Sequence, residues 1–329
     1  MPNYIDLFSG AGGFTLGFDW AGFKNLFSVE YDKEICKTYK YNFPDHKLLE
    51  CDIVKLSNQD ILNLIGNQNV DVIIGGPPCQ GFSIAGNIGR KFVDDPRNHL
   101  FKEFVRIVKL LKPKCFVMEN VAKLYTRLKG QTKEEIIHEF KSIGYAVEAK
   151  IICSADYGVP QVRNRVLFIG KLTDNPNEKV LFPTKTTRHP KTIEQAISGY
   201  PPLNSGEKSN IPNHEAMKHS KEMLEKMSFV KDGGNRTDIP INIRPLKGDA
   251  RKYIRYNSKK PAICITGDMR KVFHYNQNRA LTVRELAAIQ TYPDSFIFLG
   301  SKILQQQMVG NSVPPVLAKA IAESIKQML

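Results

Sequence analysis

The 329-residue chain carries a formal net charge of +14 with a pI near 9.4, which indicates a polyanionic partner. Its six cysteines form no C-x-x-C pair, so the sequence indicates neither a disulfide framework nor a cysteine zinc site, and a reducing cytosol fits best. A basic leader and an apolar run near twenty residues are both missing, so we expect a soluble protein that is not exported.

Residues 4–180 alternate short apolar strands with helical patterns, as a doubly wound and mostly parallel α/β sheet requires. The predicted strands are Tyr4–Leu7, Asn25–Val29, Val70–Ile74, Cys115–Met118, Ala146–Cys153 and Val166–Gly170. The predicted helices include Asp32–Asn42, Leu100–Leu111 and Lys133–Ile143. We therefore expect one large α/β domain in this part of the chain.

The pattern changes from about Phe182 to Gln277, where Pro, Asn, Gly, His and charged residues dominate. This composition predicts a smaller lobe that is irregular and partly β. Helical spacing returns at Thr282–Gln290, whose first residue has a glutamate at the capping-box distance, Glu285. The last helix is predicted over Pro314–Met328, and its apolar spacing suggests that it packs on the sheet.

A glycine-rich turn, Ser9–Gly13, follows the first strand and opens a helix. Such a turn lets a ligand approach the backbone closely, although many simple strand–helix connections look the same. Glu30 closes the next strand, where a carboxylate can hold both ribose hydroxyls, and Asp52 follows a further apolar stretch and can accept from an adenine amino group. These features predict an adenosine-bearing cofactor. Either acid can instead be an ordinary helix N-terminal residue.

Cys79 lies on the turn Gly75–Ser83, directly after the apolar run Val70–Ile74. Open α/β sheets bind ligands outside the carboxyl ends of their strands, so the position makes this thiol a site candidate. A single cysteine is more often a small buried hydrophobe. No packing need explains two prolines followed by a polar, glycine-containing segment, so we interpret Cys79 as a nucleophile.

The stretch from Ile241 to Tyr275 contains nine basic residues against two acidic ones. A solvated basic face is the simplest interpretation of such a run. Tyrosines are interleaved with the charges, which suits phosphate contacts beside stacking or base-edge contacts. The candidate nucleic-acid contacts in this stretch are Arg244, Arg251, Lys252, Tyr253, Arg255, Tyr256 and Arg270.

The order of these motifs resembles that of the cytosine-C5 DNA methyltransferases of bacterial restriction-modification systems. The motifs that carry the resemblance are the glycine turn, Glu30, Pro77-Pro78-Cys79-Gln80, Glu119-Asn120-Val121, Gln161–Arg165, Arg279–Glu285 and Gly310–Pro314. The similarity spans roughly 4–170 and 279–325. It implies a Rossmann-like methyltransferase fold, with a catalytic and cofactor-binding domain at 1–181 completed by 279–329. Residues 182–278 would form the target-recognition domain.

The resemblance implies methylation of cytosine C5 within a short duplex DNA sequence. In such chemistry the Cys79 thiolate attacks C6 and pushes electron density onto C5, which then takes the methyl group. Glu119 would meet the ring charge at N3 and the exocyclic amine. Arg165 would lie near the base carbonyl and the thiol, and Arg163 would make a phosphate or structural contact. Because alternate residues of an extended segment share a face, we expect both arginines on the same side.

The implied cofactor is S-adenosylmethionine, with S-adenosylhomocysteine as product. Its expected contacts are Phe8, Ser9, Gly10, Gly12, Gly13, Glu30, Tyr31, Asp52, Ile53, Gly76, Pro78, Leu100, Asn311 and Val313. No metal is expected, since the spacing of His214, His219 and Cys264 matches no common ligand pattern.

Residues 81–99 resemble a loop that closes over a base extruded from the duplex. The expected DNA contacts in and beside this loop are Gln80, Ser83, Arg90, Lys91 and Arg97. The expected partner is double-stranded DNA, bound by a monomer in the cytoplasm with the nucleoid. A cognate restriction endonuclease would act separately.

Three alternatives stay open. The same family has a branch that methylates tRNA, although the Gln-Gly-Phe-Ser after Cys79 and the long basic insert favour DNA. Amino-group methylation normally requires an aromatic residue after Pro-Pro, where this chain has Cys79. A binding module without catalysis would leave Glu119 and Arg165 unexplained.

Overall fold

The structure is a computed structural model that describes residues 1–78, 98–246 and 252–329. Seven of the candidate residues lie outside these ranges, namely Cys79, Gln80, Ser83, Arg90, Lys91, Arg97 and Arg251. The chain divides into two compact units. The first contains Met1–Cys153, Asn164–Thr184 and Ala318–Leu329, and the second contains Ser154–Arg163 and Lys185–Leu317.

The strands within the described ranges number eleven. They are β1 (Asn3–Leu7), β2 (Lys24–Glu30), β3 (Leu48–Glu50), β4 (Val72–Gly75), β5 (Cys115–Val121), β6 (Tyr145–Cys153), β7 (Gln161–Val162), β8 (Asn164–Leu172), β9 (Ile254–Arg255), β10 (Ala262–Ile263) and β11 (Val272–Phe273). All six strands predicted from the sequence are confirmed. Only their ends differ, by one or two residues at most of them.

The α-helices in the described residues alternate with the strands of the first unit and are shorter in the second. They are α1 (Gly13–Trp20), α2 (Lys33–Asn42), α3 (Asn58–Ile65), α4 (His99–Leu111), α5 (Lys123–Thr126), α6 (Gln131–Lys141), α7 (Ile193–Ile197), α8 (Lys221–Phe229), α9 (Val283–Ile289), α10 (Lys302–Asn311) and α11 (Pro315–Lys326). None of these helices is both long and apolar enough to cross a membrane.

Seven strands of the first unit form one sheet in the order β3-β2-β1-β4-β5-β8-β6. The strands β1 to β5 pair in parallel, while β8 runs antiparallel to both β5 and β6. The predicted doubly wound and mostly parallel sheet is thus confirmed. Because β1 lies between β2 and β4, the strand order reverses there, and open α/β sheets bind ligands at such a reversal.

Apolar side chains on both faces of the sheet explain why these strands are continuous hydrophobic runs. Ile73 of β4 and Phe116 of β5 are fully buried. Phe140 of α6 stacks on Phe116 with ring centroids 4.1 Å apart. In α11, Ile321 and Ile325 are also fully buried. The core therefore holds the carboxyl ends of the central strands in fixed positions.

The second unit contains little regular structure in the ranges described. Its short strands form two parallel pairs, β7 with β10 and β9 with β11. The capping box predicted at the start of α9 is present, because the Thr282 hydroxyl accepts from the Glu285 amide and the Glu285 carboxylate accepts from the Thr282 amide. Residues 279–317 belong to this second unit. Within it, Arg279 donates to the Leu203 carbonyl oxygen and Arg284 donates to the Pro212 carbonyl oxygen.

Candidate active site

The carboxyl ends of β1, β4 and β5 lie side by side at one edge of the sheet. Leu7 pairs with Gly75, and Gly75 pairs with Met118. The segments that follow these three residues are the glycine turn, the Gly76–Pro78 turn and the Glu119-Asn120 pair. The sheet therefore brings the candidate cofactor turn and the segment before Cys79 to the same edge.

The glycine turn has a left-handed backbone at alternating positions, with φ of 64° at Phe8, 55° at Gly10 and 94° at Gly12. A Cβ atom on Gly12 would lie 2.3 Å from Cε2 of Phe43, so the fold itself requires this glycine. A Cβ atom on Gly10 would have no atom of the described residues within 4 Å. Gly10 therefore presents bare backbone to open space, as close approach of a ligand needs.

Glu30 at the end of β2 is bonded to the glycine turn. Its Oε2 accepts from the Gly10 amide, and its Oε1 accepts from the amides of Tyr31 and Asp32, all over 2.9 Å. Burial raises the pKa of Glu30 above its ordinary value. A carboxylate has about four acceptor positions, and three are used here, so one position on Oε2 remains for a ribose hydroxyl. Glu30 thus both shapes the turn and can bind a ligand.

The other cofactor candidates of the first unit differ in exposure. Asp52 caps a short 3-10 helix, Ile53–Lys55, by accepting from the Val54 amide over 3.1 Å. Ile53 is buried, whereas Tyr31 is 72 % exposed beside Glu30. An exposed ring next to the Glu30 carboxylate offers a flat surface on which an aromatic base can stack. Ser9 is buried and Gly13 begins α1.

Leu100 lies in the first turn of α4 and is partly buried. In the second unit, Asn311 is the exposed last residue of α10, and Val313 just beyond it is buried.

The turn before Cys79 is fastened to the end of β5. The Asn120 side-chain amide donates to the Pro77 carbonyl oxygen over 2.9 Å, and its Oδ1 accepts from the Val121 amide over 2.9 Å. A Cβ atom on Gly76 would lie 3.4 Å from Oε2 of Glu119. Pro78 is exposed at the end of this fastened turn. The backbone that leads into Cys79 therefore passes directly beside Glu119.

Glu119 forms an ion pair with Arg165 of β8. The distance from Arg165 Nε to Glu119 Oε1 is 2.9 Å, and the two side chains are 15 % and 12 % exposed. The pair lacks hydrogen-bond alignment, so Oε1 is buried without a hydrogen-bond donor among the described residues. Arg165 also donates from Nη1 to the Asn164 carbonyl oxygen over 2.8 Å.

Arg163 and Arg165 do not lie on one continuous strand, contrary to the expectation that their side chains project to the same side of an extended segment. Arg163 lies in the break between β7 and β8, so strand alternation does not relate the two residues. Its side chain is buried in the second unit, where Nη1 donates to the Ile265 carbonyl oxygen over 3.1 Å. The geometry gives Arg163 a structural contact.

The predicted DNA contacts of the basic lobe fall into buried and exposed groups. Arg255 is buried, and its five N–H groups donate over 2.5 to 2.8 Å to five acceptors, which are Val230 O, His274 O, Gln277 O, Met227 O and Asn278 Oδ1. Tyr256 is also buried, and its hydroxyl donates to Ile263 O. These two side chains lie inside the lobe, so we do not propose them as DNA contacts.

The remaining candidates in the lobe reach its surface. Arg244 donates to the carbonyl oxygens of Ile239 and Thr237. Lys252 and Arg270 both bond the Asp268 carboxylate. Tyr253 is partly exposed, with its ring 4.9 Å from Lys271 Nζ.

Sequence reasoning assigned no site role to three residues that shape the candidate sites. Asp6 lies buried under the glycine turn, where it accepts from the Thr15 hydroxyl over 2.6 Å and burial raises its pKa to about 8. The sequence signal for Asp6 was an acidic residue near the end of an otherwise apolar strand. Asp268, one of only two acids in the basic stretch, orients its cations, and Asn120 fastens the Pro77 turn. Within the ranges described, no group of three or more His, Cys, Asp or Glu side chains is arranged to hold a metal ion.

Comparison with known proteins identifies the family. The profile of the C-5 cytosine-specific DNA methylases matches residues 3–327. The chain is 61 % identical over 326 residues to the Type II methyltransferase M1.HphI of Haemophilus parahaemolyticus, covering 99 % of this chain and 87 % of that protein. It is 36 % identical over 370 aligned residues to M.DdeI of Desulfomicrobium norvegicum, covering 98 % and 88 %.

Solved structures agree with this result. A prophage-encoded DNA modification methyltransferase from E. coli superposes with a TM-score of 0.80 at 26 % identity, covering 100 % of this chain and 99 % of that one. A DNMT2 structure from Spodoptera frugiperda superposes with a TM-score of 0.66 at 20 % identity, covering 100 % and 99 %, and shows the shared fold alone. The chain belongs to the family of C-5 cytosine-specific DNA methylases.

Proposed function

We propose that this DNA cytosine-C5 methyltransferase modifies one cytosine in a short duplex sequence through a covalent bond between Cys79 and the base. The observation that carries the proposal is the arrangement before Cys79. Asn120 fastens the Pro77 carbonyl, and Gly76 lies beside the Glu119 carboxylate. These contacts hold the residues that precede Cys79 next to a group that can bind a cytosine edge.

The residues at the edge of the sheet fit S-adenosylmethionine, the cofactor that membership of this family implies. Gly10 has open space beside its backbone, Glu30 keeps one acceptor position, and Tyr31 exposes its ring. We propose that Gly10 and Glu30 hold the cofactor sugar and that Tyr31 and Asp52 hold its adenine. When bound, the cofactor supplies an electrophilic methyl group.

The protein side of the reaction uses three residues. The Cys79 thiolate bonds to C6 of cytosine, which breaks the aromatic ring and makes C5 nucleophilic. The Glu119 carboxyl group donates its proton to N3, where the negative ring charge develops, and accepts a hydrogen bond from the exocyclic amine. The Arg165 guanidinium pairs with the Glu119 carboxylate and holds it in place near the carboxyl end of β5. After methyl transfer, loss of the C5 proton and expulsion of the thiolate by β-elimination restore the ring and free Cys79.

A cytosine inside a duplex cannot be attacked above and below its ring, so the base must leave the stack. We propose that residues 81–99 close over the extruded base, with Gln80, Ser83, Arg90, Lys91 and Arg97 contacting DNA. We further propose a cytoplasmic enzyme that acts on nucleoid DNA as a monomer, beside a separate restriction endonuclease. Its similarity to Type II methyltransferases supports that setting.

Methyl transfer from labelled S-adenosylmethionine to duplex DNA, followed by bisulfite sequencing, tests this proposal. We expect protection of one cytosine within a fixed short sequence, and no transfer by Cys79→Ser. Cys153→Ser removes a different thiol, which is partly buried in the first unit, and serves as the matched control. Transfer to tRNA but not to DNA would support the RNA alternative instead.

A further inference from the structure

Two cations that reach the surface of the lobe lie at one end of the β9–β11 pair. Lys252 precedes β9 and Arg270 precedes β11, and these strands run in parallel with Ile254 opposite Val272. The backbone amide of Tyr253 donates to the Lys271 carbonyl oxygen over 2.7 Å. The two segments are therefore fixed side by side, with Asp268 between their cations.

A rigid platform supports this end of the lobe. Arg255, the second residue of β9, uses all five N–H groups on acceptors inside the lobe. Phe273 of β11 is fully buried in a cluster with Met227 and Ile239. Sites built on anchored segments hold their side chains more precisely than sites on free loops.

Asp268 fixes the orientation of Arg270. Its Oδ1 accepts from Arg270 Nε over 2.9 Å, and its Oδ2 accepts from Arg270 Nη2 over 3.3 Å and from Lys252 Nζ over 2.7 Å. The Arg270 guanidinium holds the pKa of Asp268 well below its usual range, so the carboxylate stays ionised. Among the described residues no acceptor lies on Nη1, and half of the Arg270 side chain is exposed. The outer edge of the guanidinium, formed by Nη1 and Nη2, therefore faces outward as a fork.

A phosphate contact explains this arrangement less well than a base contact. A guanidinium fork can also bind a phosphate, but the Asp268 carboxylate beside the fork lowers its attraction for an anion. The two parallel N–H groups of a guanidinium fork instead match O6 and N7 of guanine in the major groove, where orientation decides the contact. An acid that fixes the fork strengthens base readout and weakens phosphate attraction.

We propose that Arg270, oriented by Asp268, reads the O6 and N7 edge of one guanine in the recognition sequence and so helps to determine specificity. This inference rests on the proposed function, because it assumes that the lobe meets duplex DNA during methylation.

The test is methylation of a pool of duplexes with randomised sequence, read by bisulfite sequencing, for the wild type and four variants. Arg270→Ala removes the fork, and Arg270→Lys keeps the charge without the fork. Asp268→Asn keeps the size of the orienting residue. Arg188→Ala removes an exposed arginine elsewhere in the same unit as the matched control. Binding of S-adenosylhomocysteine and thermal unfolding of each variant check folding.

We expect Arg270→Ala and Arg270→Lys to lower the preference for guanine at one position of the site by about 10- to 100-fold. Asp268→Asn should relax the same position to a smaller extent, and Arg188→Ala should keep the wild-type pattern. A phosphate contact would give a different result: all sequences would be methylated more weakly to the same extent, and the slope of log affinity against log salt concentration would fall by about 1. That result would overturn the inference. An unchanged pattern in Arg270→Ala would also overturn it. A wild type that methylates no DNA would instead refute the proposed function.

Discussion

The Asn120 side-chain amide donates to the Pro77 carbonyl oxygen over 2.9 Å, and both groups are buried. This bond joins the end of β5, which carries Glu119, to the turn that precedes Cys79. Strand ends give the site its position, while this bond fixes the path of the turn. We expect the relative placement of carboxylate and thiol to depend on it.

Replacing Asn120 with Ala should lower kcat for methyl transfer by about 10- to 100-fold, because loss of one buried hydrogen bond costs about 1–3 kcal/mol and frees the turn. The affinity for S-adenosylhomocysteine should change less than kcat, since most cofactor candidates lie in the segments at and after the ends of β1 and β2, and only Gly76 and Pro78 flank Pro77. Steady-state kinetics and calorimetry measure the two quantities. Asn63→Ala, on the exposed face of α3, is the control. An unchanged kcat would mean that the Pro77 bond does not position the thiol.

The Glu119–Arg165 ion pair should behave as one unit in catalysis. We expect Glu119→Gln and Arg165→Ala each to reduce kcat strongly, and the double variant to lose much less than the product of the two effects. Contacting groups commonly couple by about 0.5–3 kcal/mol in such a cycle. The measurement is kcat for all four proteins on one duplex. Independent, multiplicative effects would show that Arg165 acts apart from Glu119.

Glu30→Gln should weaken binding of S-adenosylhomocysteine by about 10-fold or more, because the amide nitrogen cannot accept and the loss of one acceptor bond to a charged group costs about 1.5–3 kcal/mol. Titration calorimetry measures the affinity directly, without DNA. Glu34→Ala removes an exposed carboxylate of α2 in the same region and should leave binding intact. Equal affinities for Glu30→Gln and the wild type would exclude Glu30 from the cofactor site.

Asp6 should make the stability of the protein depend on pH. Burial raises its pKa from 3.8 to about 8, so the folded state binds more protons than the unfolded state in that window. The free energy of unfolding should therefore fall, through this group, as the pH rises from 3.8 to about 8. Asp6→Asn keeps the shape and removes the titration. Thermal unfolding of both proteins across this range should give the wild type the steeper decline, and parallel curves would contradict the assignment.

The sheet was predictable because its strands are buried on both faces and appear as apolar runs. The predicted Val70–Ile74 corresponds to the observed Val72–Gly75. The strand β3 was not predicted, because Leu48–Glu50 is too short to show an alternating pattern. The helix α8 was not predicted although Ser220 caps it, because the composition around it suggested an irregular lobe.

The candidate site was predictable as a set of strand ends but not as a set of contacts. The family motif and the position at a strand end identified Glu119. Its contact with Arg165 was not predictable, because it depends on the antiparallel pairing of β5 and β8, which places Val121 opposite Arg165. Charge counting also cannot separate a surface cation from an internal one. Arg255 looked like a DNA contact in a basic stretch, and only tertiary structure shows that backbone carbonyl oxygens surround it.

Covalent trapping tests the central claim, the bond between Cys79 and C6 of cytosine, most directly. A duplex with 5-fluorocytosine at the methylated position cannot lose a C5 proton after methyl transfer, so β-elimination stops and the adduct persists. Incubation with S-adenosylmethionine and peptide mass spectrometry should place the adduct on Cys79, with none formed by Cys79→Ser. An adduct on another residue, or full methylation of ordinary cytosine by Cys79→Ser, would contradict the account.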